Sequence, residues 1–176
     1  MESKPSRINI IQARYVLGRI PNSELPKLAT QLLIDGYDSL ALRILAGLQA
    51  YEIDLQANTL WEQIKTDLAL TPMTSRDAAR IYAIDALQQV ILGTIDPFIA
   101  AEELWDVSIE AKSSDKTSNT QNSLQSEFHD LDPFVYCASE AHSRPGDREF
   151  FRQAILSEAR DWLDQRGTDN ADLDSF

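Results

Sequence analysis

The side chains best suited to chemistry in this sequence are concentrated in one short acidic stretch. Five carboxylates lie close together: Asp96, Glu102, Glu103, Asp106 and Glu110. On a helix, Glu102–Asp106 and Asp106–Glu110 are like-charge pairs one turn apart, and each destabilises the helix by about 0.2–0.5 kcal/mol. The cluster could be a solvated face, a docking face for a basic partner, or a site of acid–base catalysis or cation binding. We take the five residues as the candidate partner-binding site.

The two histidines are the candidate metal ligands. His129 follows Glu127 by two positions, and His142 follows Glu140 by the same spacing. Residues two apart point to different faces of a helix, so Glu-x-His cannot chelate an ion as Glu-x-x-His does. Zinc sites also favour clustered Cys and His ligands at characteristic spacing, and the chain has one cysteine and no histidine pair at i, i+4. We therefore predict no metal site and no cofactor.

The single cysteine, Cys137, is the candidate nucleophile. Its neighbours Tyr136 and Ala138 suit a packed helix, and His142, five residues further, faces a different side of that helix. Because free cysteine is among the most buried residue types, we interpret Cys137 as part of the core. The chain also lacks the Gly-x-Ser-x-Gly elbow of hydrolases and the glycine-rich loops that bind phosphate. The sequence therefore predicts no catalytic residue and no enzyme.

The overall charge restricts the class of partner. The chain has 28 acidic residues against 16 Lys and Arg, for a formal net charge of -12. Residues 1–60 carry six acids and six bases, so the excess lies later in the sequence. Nucleic acids are bound by neutralising phosphates with Lys and Arg, so we expect no binding to nucleic acid or to an anionic membrane. A basic protein, in contrast, would be attracted and steered by this charge.

Three observations bear on the compartment. No run approaches the roughly 18 consecutive apolar residues of a membrane span. The N-terminal residues lack the uninterrupted apolar stretch of a signal peptide. One cysteine excludes an internal disulfide framework and suits a reducing environment. We expect a cytoplasmic protein.

The elements that must position these side chains are helices. Apolar residues recur at helical spacing along almost the whole chain, and no segment alternates as a strand would. The predicted fold class is all-α: a single-domain helical bundle of seven or eight helices, with a central apolar helix near 75–93. The predicted helices cover residues 7–18, 23–36, 39–47, 58–69, 74–93, 96–109, 132–141 and 147–167.

Short capping motifs predict several helix ends. Gly36 occupies the position of a left-handed residue after a helix, and Ser39 or Asp38 is placed to cap the next one. Asp96 and Asp132 each precede a proline and a phenylalanine, which predicts an N-cap followed by a proline in the first turn.

One domain over residues 1–176 accommodates all of these helices. Within it, residues 112–127 are rich in Ser, Thr, Asn and Gln and cannot bury enough apolar surface, so we predict a flexible polar loop. Residues 168–176 are predicted to form a frayed acidic tail.

The three tryptophans have a structural and a functional interpretation. Trp61, Trp105 and Trp162 lie in separate predicted helices, and each has an acidic neighbour in sequence. Aromatic residues beside carboxylates make good interface anchors. All three also occupy core positions of amphipathic helices, and we expect them in the core.

Arg43 is the one charged residue on an apolar predicted helix. We predict that it pairs with Asp38 or Asp35 and locks the preceding turn. Contact with a partner is the alternative.

Three short segments carry a resemblance to known proteins. These are Glu-Leu-Pro-Lys-Leu-Ala at 24–29, Gly-Tyr-Asp-Ser at 36–39 and Leu-Arg-Ile-Leu-Ala-Gly-Leu at 42–48. The stretch Glu24–Leu48 resembles uncharacterised small all-helical bacterial proteins. The resemblance implies a bacterial source and a small α domain, and it implies no activity and no catalytic residue.

Charge, size and the absence of catalytic motifs favour a non-enzymatic bacterial binding protein. It would present an acidic helical face to a basic protein partner, as an immunity protein or antitoxin neutralising a basic toxin would. A helical adaptor or regulatory scaffold that uses apolar contacts is the alternative. A carboxylate- or metal-dependent enzyme is a third class, and it would require a buried cleft that gathers carboxylates with His129 or His142.

Overall fold

Helices account for nearly all regular structure in the computed structural model, which describes residues 6–114 and 131–169. Within those ranges there are eight α-helices and no β-strand, which confirms the all-α class. The helices are α1 (Arg7–Val16), α2 (Leu25–Ile34), α3 (Leu40–Gly47), α4 (Ala50–Asp67), α5 (Ser75–Ile91), α6 (Pro97–Ser114), α7 (Asp132–Ser143) and α8 (Arg148–Asp169). Short 3₁₀ helices at Asn22–Glu24 and Pro145–Asp147 precede α2 and α8.

The helices form two compact units, one from Ser6 to Thr74 and one that begins at Ser75. In the first unit α2 packs against α1 and α3, and α3 packs against α4. Its core is aliphatic except for Trp61, and its largest fully buried members are Leu25, Leu32, Leu42, Leu45, Trp61 and Ile64. The prediction of one domain over 1–176 stays a prediction.

Ion pairs and a glycine hold the turn between α2 and α3. Gly36 has a φ of +92°, a backbone conformation that residues with a Cβ rarely adopt, and it ends α2 as predicted. Arg43 pairs with Asp38, which confirms one of its two predicted partners. Asp35 instead pairs with Arg7 of α1 at 2.9 Å. The hydroxyl of Ser39 accepts the Leu42 amide at 3.1 Å, so the predicted cap of α3 is also confirmed.

The second unit is a group of four helices built on α5. Helices α5 and α7 each contact both α6 and α8, and α6 also contacts α8. The buried residues of α5 occupy most of its circumference: Ala78, Ala79, Tyr82, Ala83, Ile84, Ala86, Leu87 and Val90. Half of these are alanines, and small side chains allow neighbouring helices to approach closely. The predicted apolar core helix near 75–93 is therefore confirmed.

Several predicted boundaries are wrong. Helix α4 begins at Ala50, eight residues before the predicted start, where the Gln49 amide donates to the Glu52 carboxylate at 2.9 Å in a capping box. Helix α7 begins at Asp132, so this residue lies in the first turn and is not the N-cap. Helix α6 continues to Ser114, three residues into the predicted loop 112–127, whose remainder lies outside the described residues. Helix α8 continues to Asp169, and the rest of the predicted tail also lies outside them.

The start of α6 is fixed by one carboxylate. Asp96 accepts the Phe98 amide at 2.9 Å, which confirms it as the N-cap, and its other oxygen pairs with Arg152 of α8 at 2.8 Å. Burial alone would raise the pKa of Asp96, but the hydrogen bonds from Arg152 and the Phe98 amide, with the Arg152 charge, outweigh it and lower the pKa. Asp96 therefore joins α6 to α8.

The core position of α5 makes a direct prediction for stability. Leu87 is fully buried on this helix, whereas Leu92, just after its end, is exposed. Leu87→Ala should lower the free energy of unfolding by about 2–5 kcal/mol because it leaves a cavity. The matched control Leu92→Ala should change it by about 0.5 kcal/mol or less. Urea unfolding followed by far-UV circular dichroism measures both, and equal effects would contradict the assignment of α5 to the core.

The Asp96 ion pair makes a prediction about pH. Because the pKa of Asp96 is lower in the folded than in the unfolded chain, its contribution is complete above the unfolded value of about 3.9. That contribution is lost as the pH falls through the folded pKa. Asp96→Asn should therefore be less stable than the native protein at pH 7, and the difference should shrink between about pH 4 and pH 2.

Urea unfolding of both proteins across this pH range measures the effect. Arg152→Gln removes the partner charge and should reduce the same pH dependence. A difference between native protein and Asp96→Asn that stays constant from pH 7 to pH 2 would contradict the lowered pKa.

Candidate functional site

The structure gives the five predicted carboxylates different surroundings. Asp96 is engaged in capping α6 and in its pair with Arg152. Glu103 is partly buried and accepts a hydrogen bond from the Tyr82 hydroxyl of α5 at 2.6 Å. The side chain of Glu110 lies outside the described residues. Among the α6 carboxylates whose side chains the structure describes, only Glu102 and Asp106 are exposed.

The rotation of α6 about its axis explains this division. Leu104 and Val107 are fully buried and define the side of α6 that faces the core of the unit. Glu103 stands at one edge of that side, beside α5. Since Glu102 and Asp106 are one turn apart and lie opposite the core, both face solvent.

A groove about 480 Å³ in volume runs between α6 and α7 and includes these two carboxylates. From α6 it is lined by Ala101, Glu102, Trp105 and Asp106, and from α7 chiefly by Ala138, Ser139 and His142. Three of these residues are alanine or serine, and their small side chains leave an open channel between the helices. Larger side chains at these positions would fill it. The groove therefore combines small lining residues with an aromatic ring and two carboxylates.

Trp105 corrects the expectation that all three tryptophans are in the core. Trp61 and Trp162 are buried, at 1% and 7% exposure, but 42% of Trp105 is exposed. Trp105 stands at the edge of the buried side of α6 that faces α7, so its ring lines the groove. Leu104, the preceding residue, takes the core position instead.

Apolar side chains continue on the exposed face of α6. Ile99 and Ile109 are 54% and 44% exposed. Ile109 lies one turn after Trp105, and Ile99 lies one turn before Glu102, so apolar and acidic residues alternate along the solvent side of the helix. We call Ile99, Glu102, Trp105, Asp106 and Ile109 the α6 face.

His142 is brought to the same groove as Glu102 and Asp106. Its side chain is exposed and the groove is open, so solvent reaches all three groups. Within residues 6–114 and 131–169, no group of three or more His, Cys, Asp and Glu residues could hold a metal ion. His129 lies outside the described residues.

Cys137 lies on α7 and is partly buried. Burial raises the pKa of its thiol, and the nearby charge of Glu158 raises it further. A raised pKa keeps the thiol protonated at neutral pH, and the thiolate is the nucleophilic form. This environment suits a packed side chain better than a reactive one.

Sequence reasoning missed the α7 side of the groove. Ala138, Ser139 and His142 follow helical spacing on one side of α7, and that periodicity was the available signal. Their pairing with α6 depends on which helices pack together, and local sequence does not encode that information directly.

A second cavity of about 430 Å³ lies beside the start of α6 and is lined by Asp96, Arg152 and Arg160 among others. Asp96 and Arg152 neutralise each other there. The Arg152 guanidinium also lies 5.3 Å from the centre of the Phe98 ring, and that of Arg148 lies 4.4 Å from it. These interactions hold α6 against α8.

No helix in the described parts of the chain is both long and apolar enough to cross a membrane. Comparison of the chain with known protein families, with characterised proteins and with solved structures finds no match. Function is therefore inferred from the residues of this chain alone.

Proposed function

We propose that the protein is a non-enzymatic binding protein whose α6 face and adjoining groove receive a basic protein partner. The observation that carries the proposal is the partly exposed Trp105, which lines the groove together with Glu102 and Asp106. Tryptophan is enriched among the residues that dominate binding energy at protein interfaces. The two carboxylates would select a positively charged partner.

Long-range charge supports the same class of partner. The net charge of -12 attracts a basic protein and speeds its encounter, and it repels nucleic acids and anionic lipids. An immunity protein or antitoxin that neutralises a basic toxin has this combination of small size, acidity and helical structure. A bacterial, cytoplasmic protein of this class is the function we favour, and the single, partly buried cysteine suits a reducing compartment.

A second candidate function is an adaptor that uses apolar contacts. It is favoured by Tyr51 and Leu55, which lie one turn apart on α4 and are 78% and 81% exposed. On this helix Ile53, Ala57 and Trp61 face the core, so Tyr51 and Leu55 point away from it. An apolar pair of this kind could anchor a partner without help from charge.

Partner capture from the native host tests the first proposal. Immobilised native protein should retain one or more basic proteins that a Glu102→Gln/Asp106→Asn variant retains much less. For a captured protein, each lost exposed ion pair should weaken binding by up to about fivefold, since such pairs contribute about 0.2–1 kcal/mol. Isothermal titration calorimetry on the purified pair measures the change, and affinity should fall as salt rises from 50 to 300 mM.

The matched control removes two other exposed carboxylates, with Glu24→Gln/Asp54→Asn in the first unit. This control has the same net charge as the test variant, so it separates a local contact from general attraction. Equal weakening by both variants would show that only overall charge matters. Binding that is insensitive to salt and lost in Tyr51→Ala/Leu55→Ala would instead support the adaptor.

A further inference from the structure

We infer that the groove between α6 and α7 receives an arginine side chain of the partner, stacked on the indole ring of Trp105 and paired with Glu102 or Asp106. The inference rests on the proposed function and names the chemical group that the site recognises. A basic partner could use lysine or arginine, and the composition of this groove favours arginine.

The groove provides a planar face beside negative charge. Trp105 is partly exposed, and the carboxylates that accompany it lie on the same helix within one turn. Of the aromatic rings, tryptophan attracts a cation most strongly. Since both carboxylates and the ring belong to one helix, their arrangement exists before any partner arrives.

The dimensions of the groove also suit a long side chain. Its lining residues on α7 span Val135 to Ser143, about 12 Å along that helix at 1.5 Å per residue. The small side chains of Ala101, Ala138 and Ser139 leave room for the aliphatic part of the guest. A guest with an apolar stem and a charged tip satisfies both the small lining residues and the acidic rim.

Arginine fits this site better than lysine for two reasons. Its planar guanidinium can stack on an indole and at the same time donate two parallel hydrogen bonds to a carboxylate, whereas the lysine ammonium is a strongly hydrated point charge. The same unit contains a simpler combination of a ring contact and an ion pair made by one arginine. Arg152 lies over the Phe98 ring at 5.3 Å while it pairs with Asp96 at 2.8 Å.

The test uses the full-length protein and three synthetic peptides of twelve residues. The first has two arginines four positions apart in an alanine background, the second has lysine at those positions, and the third has citrulline, which keeps the planar shape but lacks the charge. Nuclear magnetic resonance titrations at 50 mM salt follow the indole N–H of Trp105 and the amides of Ala138 and Ser139.

We expect the arginine peptide to shift these signals and to bind about two- to fivefold more tightly than the lysine peptide, because the guanidinium can stack on the ring and pair with a carboxylate at once, whereas the ammonium is more strongly hydrated. The citrulline peptide should not bind measurably. Trp105→Leu keeps an apolar side chain without the aromatic face, and it should weaken binding of the arginine peptide more than binding of the lysine peptide. Glu102→Gln should weaken both basic peptides.

The other results are equally informative. Equal binding of the arginine and lysine peptides to the native protein would overturn the arginine inference, but the proposal of a basic partner would still stand. Equal binding of the arginine and citrulline peptides would contradict both proposals. Shifts that appear on raising the protein concentration without peptide would identify a second copy of this chain as the occupant and overturn the inference.

Discussion

The rotation of α6 about its own axis is the constraint on which the candidate site depends. Burial of Leu104 and Val107 fixes that rotation, because turning the helix would carry at least one of them toward solvent. The cap and ion pair of Asp96 hold the first turn, and the hydrogen bond from Tyr82 to Glu103 holds one side. With the helix fixed in this way, Glu102 and Asp106 must face solvent and Trp105 must face α7. The acidic stretch therefore separates into carboxylates that build the fold and carboxylates that can meet a partner.

The fold was largely predictable from the sequence because the helices bury continuous apolar stripes. The stripe on α5 is so wide that a core position was the only consistent interpretation. The start of α4 was missed because Tyr51 and Leu55 lie outside its buried stripe, and because its N-cap is Gln49, which is not among the usual capping residues. A helix is predicted from the apolar residues on its buried side. Apolar residues on the solvent side disturb that pattern and lead to a wrong boundary.

The candidate site was less predictable because helical spacing does not distinguish an exposed apolar residue from a buried one. A tryptophan among apolar neighbours at helical spacing fits a core position, yet Trp61 is buried and 42% of Trp105 is exposed. The sequence identified the acidic stretch that contains Glu102 and Asp106, but it did not separate them from Asp96 and Glu103, which take part in the fold. It could not place His142 beside them, because α6 and α7 meet through tertiary packing and the segment between them is long. Sequence thus identified the α6 carboxylates but not the second side of the groove.

The choice between a solubilising surface and a docking surface depends on the apolar members of the α6 face. A surface that serves solubility alone gains nothing from an exposed tryptophan and two exposed isoleucines, and opposite charges one turn apart would stabilise the helix. Here Glu102 and Asp106 repel each other, and Ile99, Trp105 and Ile109 are partly exposed beside them. Single exposed apolar residues are common, and here three of them share one helical face with the two carboxylates. Burial against the proposed partner would remove the cost of that exposure, and a cationic group on the partner would add favourable charge beside Glu102.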